Sequence, residues 1–165
     1  MQRKMEKRFS VAVNSTPLIY LSKANSLWIL TSIFKVFIDN IVYEEVVLEG
    51  IKKGFKDALS VKKFIDKGEI ITYNVDKRCL MQLSSYNIGL GEASTISLVI
   101  NNIADIAIID DKYARIIAEK LGVKVHGTPY ILKLSVLKKI IKPSEAIKTL
   151  ELTVKNGYYL TAKTR

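Results

Sequence analysis

Five short apolar runs punctuate the chain, FSVAV (9–13), KVFID (35–39), EIITYNV (69–75), DIAII (105–109) and VKVHG (123–127), and stretches of helical period fill the intervals. Runs this short, bounded by turn residues, suit strands buried on both faces, and the helices between them supply the crossovers that parallel strands require. The alternation predicts an α/β fold with a central parallel five-stranded sheet flanked by helices. A length of 165 residues suits one domain over 1–165.

Helix signals fill in the rest. Thr16 followed by Pro17 reads as an N-cap with proline in the first turn, and LIYLSKA and SLWILTSIF then form a hairpin pinched at Asn25 and Ser26. A helix over IVYEEVVLEGIKK follows the second strand, and another after Gly54 stops at Gly68. Asp76 opens the next helix. Three more are expected at 91–102, 111–122 and 128–141, with Gly122 as a C-terminal stop. Pro143 is expected to break the last of these, with Ser144 capping a final helix before the tail YYLTAKTR. Trp28, Phe34, Phe37 and Tyr43 read as a core and interface cluster, and Cys79 as a small buried apolar group.

Composition narrows the function classes. With 48% hydrophobic and 25% charged residues the chain is a folding sequence rather than a disordered one. Asn14, Ser15, Thr16 and Pro17 interrupt the apolar stretch after the basic start, which argues against an export signal. The longest apolar stretches fall short of the roughly 20 residues that span a bilayer, so no membrane partner is expected. One cysteine forms no internal disulfide, and no zinc spacing occurs, which makes the cytoplasm the expected compartment. A net charge of +10 favours polyanions, although the basic residues are spread along the chain rather than gathered in one stripe.

The acids gather at one place in the predicted topology. In an open parallel sheet all strand carboxyl ends share one edge, and ligands sit where the winding direction reverses. Asn14 follows the first strand and Asp110 the fourth, while Glu45 lies one turn into the helix after the second strand and Glu92 in the first turn of the helix leading to the fourth. Each has an ordinary alternative: Asp110 or Asp111 as a helix cap, Glu92 as a complement to a helix N-terminus, Glu44 and Glu45 as partners for lysines, Asn14 as an Asx-turn. Convergent carboxylates repel one another unless a cation is present, and an oxygen-rich site suits Mg²⁺ or Mn²⁺. Such ions stabilise charge and activate water in phosphodiester cleavage.

The stretches VAVNSTPLIYLSKA, VYEEVV, GLGEASTISLVI and ADIAIIDDKYARIIAEKLGVKVHGT, in that order, resemble the PIN-domain family and within it the VapC-like toxin nucleases. The resemblance covers about residues 9–140, leaving a C-terminal helix and tail at 143–165. It implies strand order 3-2-1-4-5 and a metal-dependent endoribonuclease that hydrolyses RNA phosphodiester bonds with Mg²⁺ or Mn²⁺. It also implies the toxin of a toxin–antitoxin pair, with a small antitoxin protein as partner and a homodimeric state. Carried across residue by residue, the family's acidic positions fall on Asn14, Glu45, Glu92 and Asp110, with Asp111 auxiliary. Glu45, Glu92 and Asp110 are then the catalytic acids. Asn14 departs from the usual Asp, and one negative charge fewer weakens metal binding; NSTPLI is nonetheless similar to the motif in some VapC-related branches. The alternative is a cleavage-impaired RNA-binding or protein-interaction module.

Around these positions, Ser15 and Thr16 are candidate substrate contacts near a helix N-terminus, as are Lys112 and Arg115 just past the acids. His126, on an edge strand, reads as structural rather than as a general base. Gly89 and Gly91 lack the preceding strand and third glycine of a dinucleotide fingerprint, and neither a P-loop nor a G-x-S-x-G elbow occurs.

Overall fold

A computed structural model of the protein describes residues 8–157. Its sheet comprises β1 (Ser10–Val13), β2 (Lys35–Asp39), β3 (Ile70–Tyr73), β4 (Ile106–Ile108) and β5 (Val125–His126). All pairings are parallel and the order is β3-β2-β1-β4-β5, as anticipated. The strands are in register with Val11 beside Val36 and Ile106, and Ala12 beside Phe37 and Ala107.

The period-two pleat sorts side chains onto two faces. Val11, Val13, Val36, Ile38, Ile106 and Ile108 form one core with Leu18, Leu21 and Leu30 of the helical hairpin and Ile131. That hairpin is α1 (Ser15–Lys23) and α2 (Leu27–Ile33), turned by Asn25 at φ 53°. On the other face Ala12 packs with Leu98, while Ala107 and Ile109 pack with Ile96, Ala114 and Ala118.

Helix-forming stretches after β2 give α3 (Asn40–Tyr43), a π-helical turn (Glu44–Leu48) and α4 (Glu49–Lys52), followed by α5 (Lys56–Asp66). The second face carries α6 (Lys77–Leu83), α7 (Leu90–Ile100) and α8 (Lys112–Lys120). Small residues at Ala12 and Ala107 let α7 lie against the middle of the sheet, where Gly91 and Ala93 to Leu98 are all buried. Its buried hydroxyls bond to their own helix, Ser94 and Thr95 to the Gly91 carbonyl at 2.9 and 2.8 Å and Ser97 to that of Ala93 at 2.8 Å, so none is left unsatisfied.

Several boundaries differ from the sequence pattern. Asn14, not Thr16, occupies the cap position of α1, and Pro17 sits inside the first turn, where a missing N–H is harmless. α9 (Thr128–Leu137) ends before 141 because Lys139 adopts φ 59°, outside the helical region. Pro143 does not break a helix but starts α10 (Pro143–Lys155), with Lys142 at the cap position instead of Ser144. The four aromatic residues do not form one cluster: Phe34 is in the main core, Tyr43 lies at its margin, Phe37 packs on the other face and Trp28 is 43% exposed. Cys79 is half-buried beside the second core. The YYLTAKTR tail lies outside the described residues. Among those residues no helix is long and apolar enough to cross a membrane.

Asp39 ends β2 almost fully buried, with Oδ2 accepting from Ile41 N–H at 2.9 Å and Oδ1 from Val75 N–H at 2.8 Å. One carboxylate thus caps α3 and fastens the segment after β3. Asp39→Ala is expected to lower the free energy of unfolding by about 2–3 kcal/mol, measured by urea denaturation, because two backbone donors lose a charged acceptor.

Candidate active site

The chain winds from β1 outward through β2 and β3, then returns to place β4 on the other side of β1. This reversal opens a crevice at the strands' carboxyl ends. Asn14 N–H donates to the Ile108 carbonyl at 3.0 Å, so the β1–β4 ladder continues past β1 and holds Asn14 at the crevice. Its side chain is buried and makes no capping bond to α1, which removes the Asx-turn explanation.

Three oxygens meet opposite α7. A Cβ built on Gly91 would lie 2.9 and 3.0 Å from the two carboxylate oxygens of Glu45 and 3.2 Å from Asn14 Oδ1. Only glycine, among all residues, leaves that space open. Glu45 is brought there by the π-helical turn, a local widening that often marks functional positions in helices. Ser15, the first residue of α1, fixes the carboxylate further by donating its hydroxyl to Glu45 Oε2 at 2.6 Å. Glu45 is exposed, and so its carboxylate is reachable from solvent.

Glu92 stands one residue further along α7. Its Oε2 accepts the Gly89 N–H at 2.9 Å, so the capping role weighed from sequence is real. Its carboxyl is nevertheless raised above the ordinary carboxylate range. Burial is the main cause, the Gly89 N–H opposes it, and the charges of Asp111 and Glu45 add to the rise. Glu92 therefore shares an electrostatic field with both acids.

The two adjacent aspartates part company. Asp110 turns to the start of α9, Oδ1 accepting from Thr128 N–H and Oδ2 from the Thr128 hydroxyl, each at 2.7 Å. Gly127 permits this approach, since a Cβ there would lie 2.9 Å from Asp110 Oδ1. Asp111 caps α8 by accepting from Ala114 N–H at 2.8 Å. Arg115, expected to reach substrate, folds back so that Nη1 donates to the carbonyls of Ile109 and Asp110 at 3.2 and 2.5 Å. Lys112 opens α8 half-buried, and Thr16 lies in the first turn of α1. His126 stacks on Tyr130 with ring centroids 3.8 Å apart.

The sequence-predicted set thus divides. Asn14, Ser15 and Glu45 are in one place with Glu92 beside them, whereas Asp110 and Arg115 are engaged in holding the β4–α8 loop. Among the described residues no three acidic, histidine or cysteine side chains are grouped to hold a metal ion on their own. Sequence reasoning weighed Gly91 only against a dinucleotide fingerprint and missed that its absent side chain makes room, and it passed over Thr128 as the partner of Asp110. A glycine one residue inside an otherwise buried helix is the signal that could have exposed the first.

A family model for DUF3368, a PIN domain, matches residues 10–165. The chain belongs to the PIN-domain family. PIN domains are typically nucleases and are generally dependent on divalent metal ions. No curated protein matches the chain.

Thr128 is fully buried, so replacing it with a residue of equal size separates the hydroxyl from packing. Thr128→Val, which removes only the donor to Asp110 Oδ2, is expected to cost about 1–3 kcal/mol of stability in urea unfolding. Thr128→Ser should recover most of it.

Proposed function

We propose that this PIN domain is a divalent-metal-dependent endoribonuclease that cuts RNA at the crevice between β1 and β4. The observation that carries this reading is the convergence of both Glu45 oxygens and Asn14 Oδ1 on the space above Gly91, with Glu92 adjacent. The donor set fits a hard cation: a carboxylate, an amide oxygen and a neighbouring hydroxyl, all uncharged or negative oxygen ligands. Mg²⁺ or Mn²⁺ held there supplies Lewis acidity and lowers the pKa of a bound water.

The chain's own residues do the positioning. Asn14 and Glu45 present oxygens from two elements fixed by the β1–β4 ladder and the π-helical turn. Ser15 orients Glu45, and Glu92 adds negative charge at the rim with Asp111 near it. Asp110 and Arg115 hold the loop from which Asp111 projects, while Thr16 and Lys112 are the candidate contacts to a phosphate backbone. The surplus of 26 basic over 16 acidic residues draws RNA toward the protein. A toxin role, with a small antitoxin covering the crevice and a homodimeric toxin, is the biological setting that the family resemblance favours; copurification with a small partner tests it.

The decisive assay incubates purified protein with structured RNAs in Mn²⁺, in Mg²⁺ and in EDTA, beside Glu45→Gln and Asp110→Asn. Cleavage is expected only with metal, full in the native protein, reduced in Asp110→Asn and lost in Glu45→Gln. Equal cleavage in every sample identifies a contaminant and ends the proposal.

One observation favours a second reading, an RNA-binding module that no longer cuts: the first position is Asn14, and no three acids enclose an ion among the described residues. In that case RNA affinity falls steeply with salt without any metal-dependent cleavage, and Asn14→Asp raises Mn²⁺ affinity but restores no cutting.

Gly91→Ala gives an independent check. The added methyl displaces Glu45 and Asn14, whose side-chain ends can move, while alanine favours the helix by about 1 kcal/mol over glycine. The variant is expected to melt near the native temperature yet bind Mn²⁺ about tenfold or more weakly by calorimetry.

A further inference from the structure

Tyr113, in the first turn of α8, is 50% exposed, yet its side chain is tethered: the hydroxyl donates to the Tyr86 carbonyl at 2.7 Å. A surface tyrosine ordinarily moves among rotamers, and a bond at the far end of the ring holds this one in place. The bond spans two loops that both carry acids of the crevice. Tyr86 lies three residues before Gly89, whose N–H holds Glu92, and Tyr113 lies two residues after Asp111, the cap of α8.

That puts the ring at the crevice itself. Gly91 faces Asn14, which follows β1, so α7 begins at the carboxyl edge of the sheet, and α8 leaves the end of β4 at the same edge. The two helices pack on one face of the sheet, and the charge of Asp111 reaches Glu92 between their starts. Along α8 each residue rises about 1.5 Å, so the Tyr113 backbone is about 3 Å further along the axis than Asp111. An RNA strand that has one phosphate at the shared oxygens of Glu45 and Asn14 and runs across the starts of α7 and α8 brings an adjoining nucleotide to Tyr113. Unpaired bases bind proteins by stacking on aromatic faces, whereas a duplex keeps its bases stacked on one another. A ring already held loses little conformational freedom when a base covers it. As a clasp Tyr113 uses its hydroxyl alone, which leaves the exposed part of the ring for a base.

We propose that the tethered ring of Tyr113 is a base-stacking subsite of the crevice, taking an unpaired nucleotide of single-stranded RNA beside the phosphate that is cut. This subsite deepens the ribonuclease reading and rests on it for where that phosphate lies.

The test uses the full chain in EDTA, so that binding is measured without cutting. Fluorescence polarisation compares native protein, Tyr113→Ala and Tyr113→Phe on a labelled oligouridylate, on a duplex of equal length, and on oligouridylates that lack one base at a time. Single-strand affinity is expected to fall about tenfold in Tyr113→Ala, with duplex affinity little changed, while Tyr113→Phe keeps the ring and most of the affinity. Native protein should lose a similar factor when one particular base is missing, and Tyr113→Ala should lose nothing further at that position. An oligonucleotide carrying 4-thiouridine should photocrosslink to the native peptide containing Tyr113. If the loss of the clasp makes Tyr113→Ala melt early, the missing-base series and the crosslink on native protein decide the matter.

Unchanged single-strand affinity in Tyr113→Ala together with no crosslink at Tyr113 overturns the subsite, even where native protein cleaves RNA with metal. A Tyr113→Ala variant that weakens binding yet stays as sensitive as native protein to every missing base makes the residue a clasp only, and likewise overturns it. So does loss of a native dimer in Tyr113→Ala with RNA affinity intact, which assigns the ring to a second copy of the chain. Crosslinking at Tyr113 by a protein that never cleaves supports the subsite and removes the ribonuclease reading instead.

Discussion

The pairing of β1 with β4 is the constraint on which the site depends. Two strands more than ninety residues apart in the chain must lie side by side for the crevice to exist, and they can do so because Ala12 and Ala107 face α7 with almost no bulk. The ladder does not stop with the strands. Asn14 extends it through its bond to Ile108, and Asp105 anchors the opposite end by accepting from both the backbone and the hydroxyl of Ser10 at 3.0 and 3.1 Å. Polar bonds at each end thus fix the sliding register of two buried apolar strands, which apolar packing alone would define less sharply.

Much of this was legible in the sequence because buried parallel strands leave an uninterrupted apolar signature. The strands all fall where that signature lies, with ends trimmed by a residue or two. Helix limits were harder, since Pro17 and Pro143 are permitted in a first turn, and proline looks alike whether it starts a helix or ends one. The π-helical turn left no mark, because EEVVL is acceptable in an ordinary helix and the widening comes from packing Val46 and Val47 into the core. Asp39 also escaped notice. It is an acid at a strand's carboxyl end like Asp110, yet its two bonds to backbone donors make it a fastening of the fold.

Asp110 and Glu45 show how differently two acids at one edge of a sheet can be held. A carboxylate beside free backbone N–H groups at a helix start gains two strong hydrogen bonds and is absorbed into the scaffold. A carboxylate opposite a glycine, beside an amide oxygen and accepting one serine hydroxyl, keeps lone pairs open. Sequence position relative to a strand cannot separate these cases; the neighbour that donates can. Glu92 stands between them, bonded to Gly89 through one oxygen, its carboxyl raised by burial first and by the charges of Asp111 and Glu45 second.

The widened turn at Glu44–Leu48 has a consequence for how this chain can vary. Each residue of a regular helix advances the facing direction by about 100°. A π-helical turn takes up one residue more than an ordinary turn, so removing one from this segment would let the coil tighten into ordinary winding with α4 facing much as before, and would shift the side chains of the turn itself. The extra residue is absorbed within the turn, which lets one helix bury Val46 and Val47 in the interior and bring the Glu45 carboxylate to Gly91 at once.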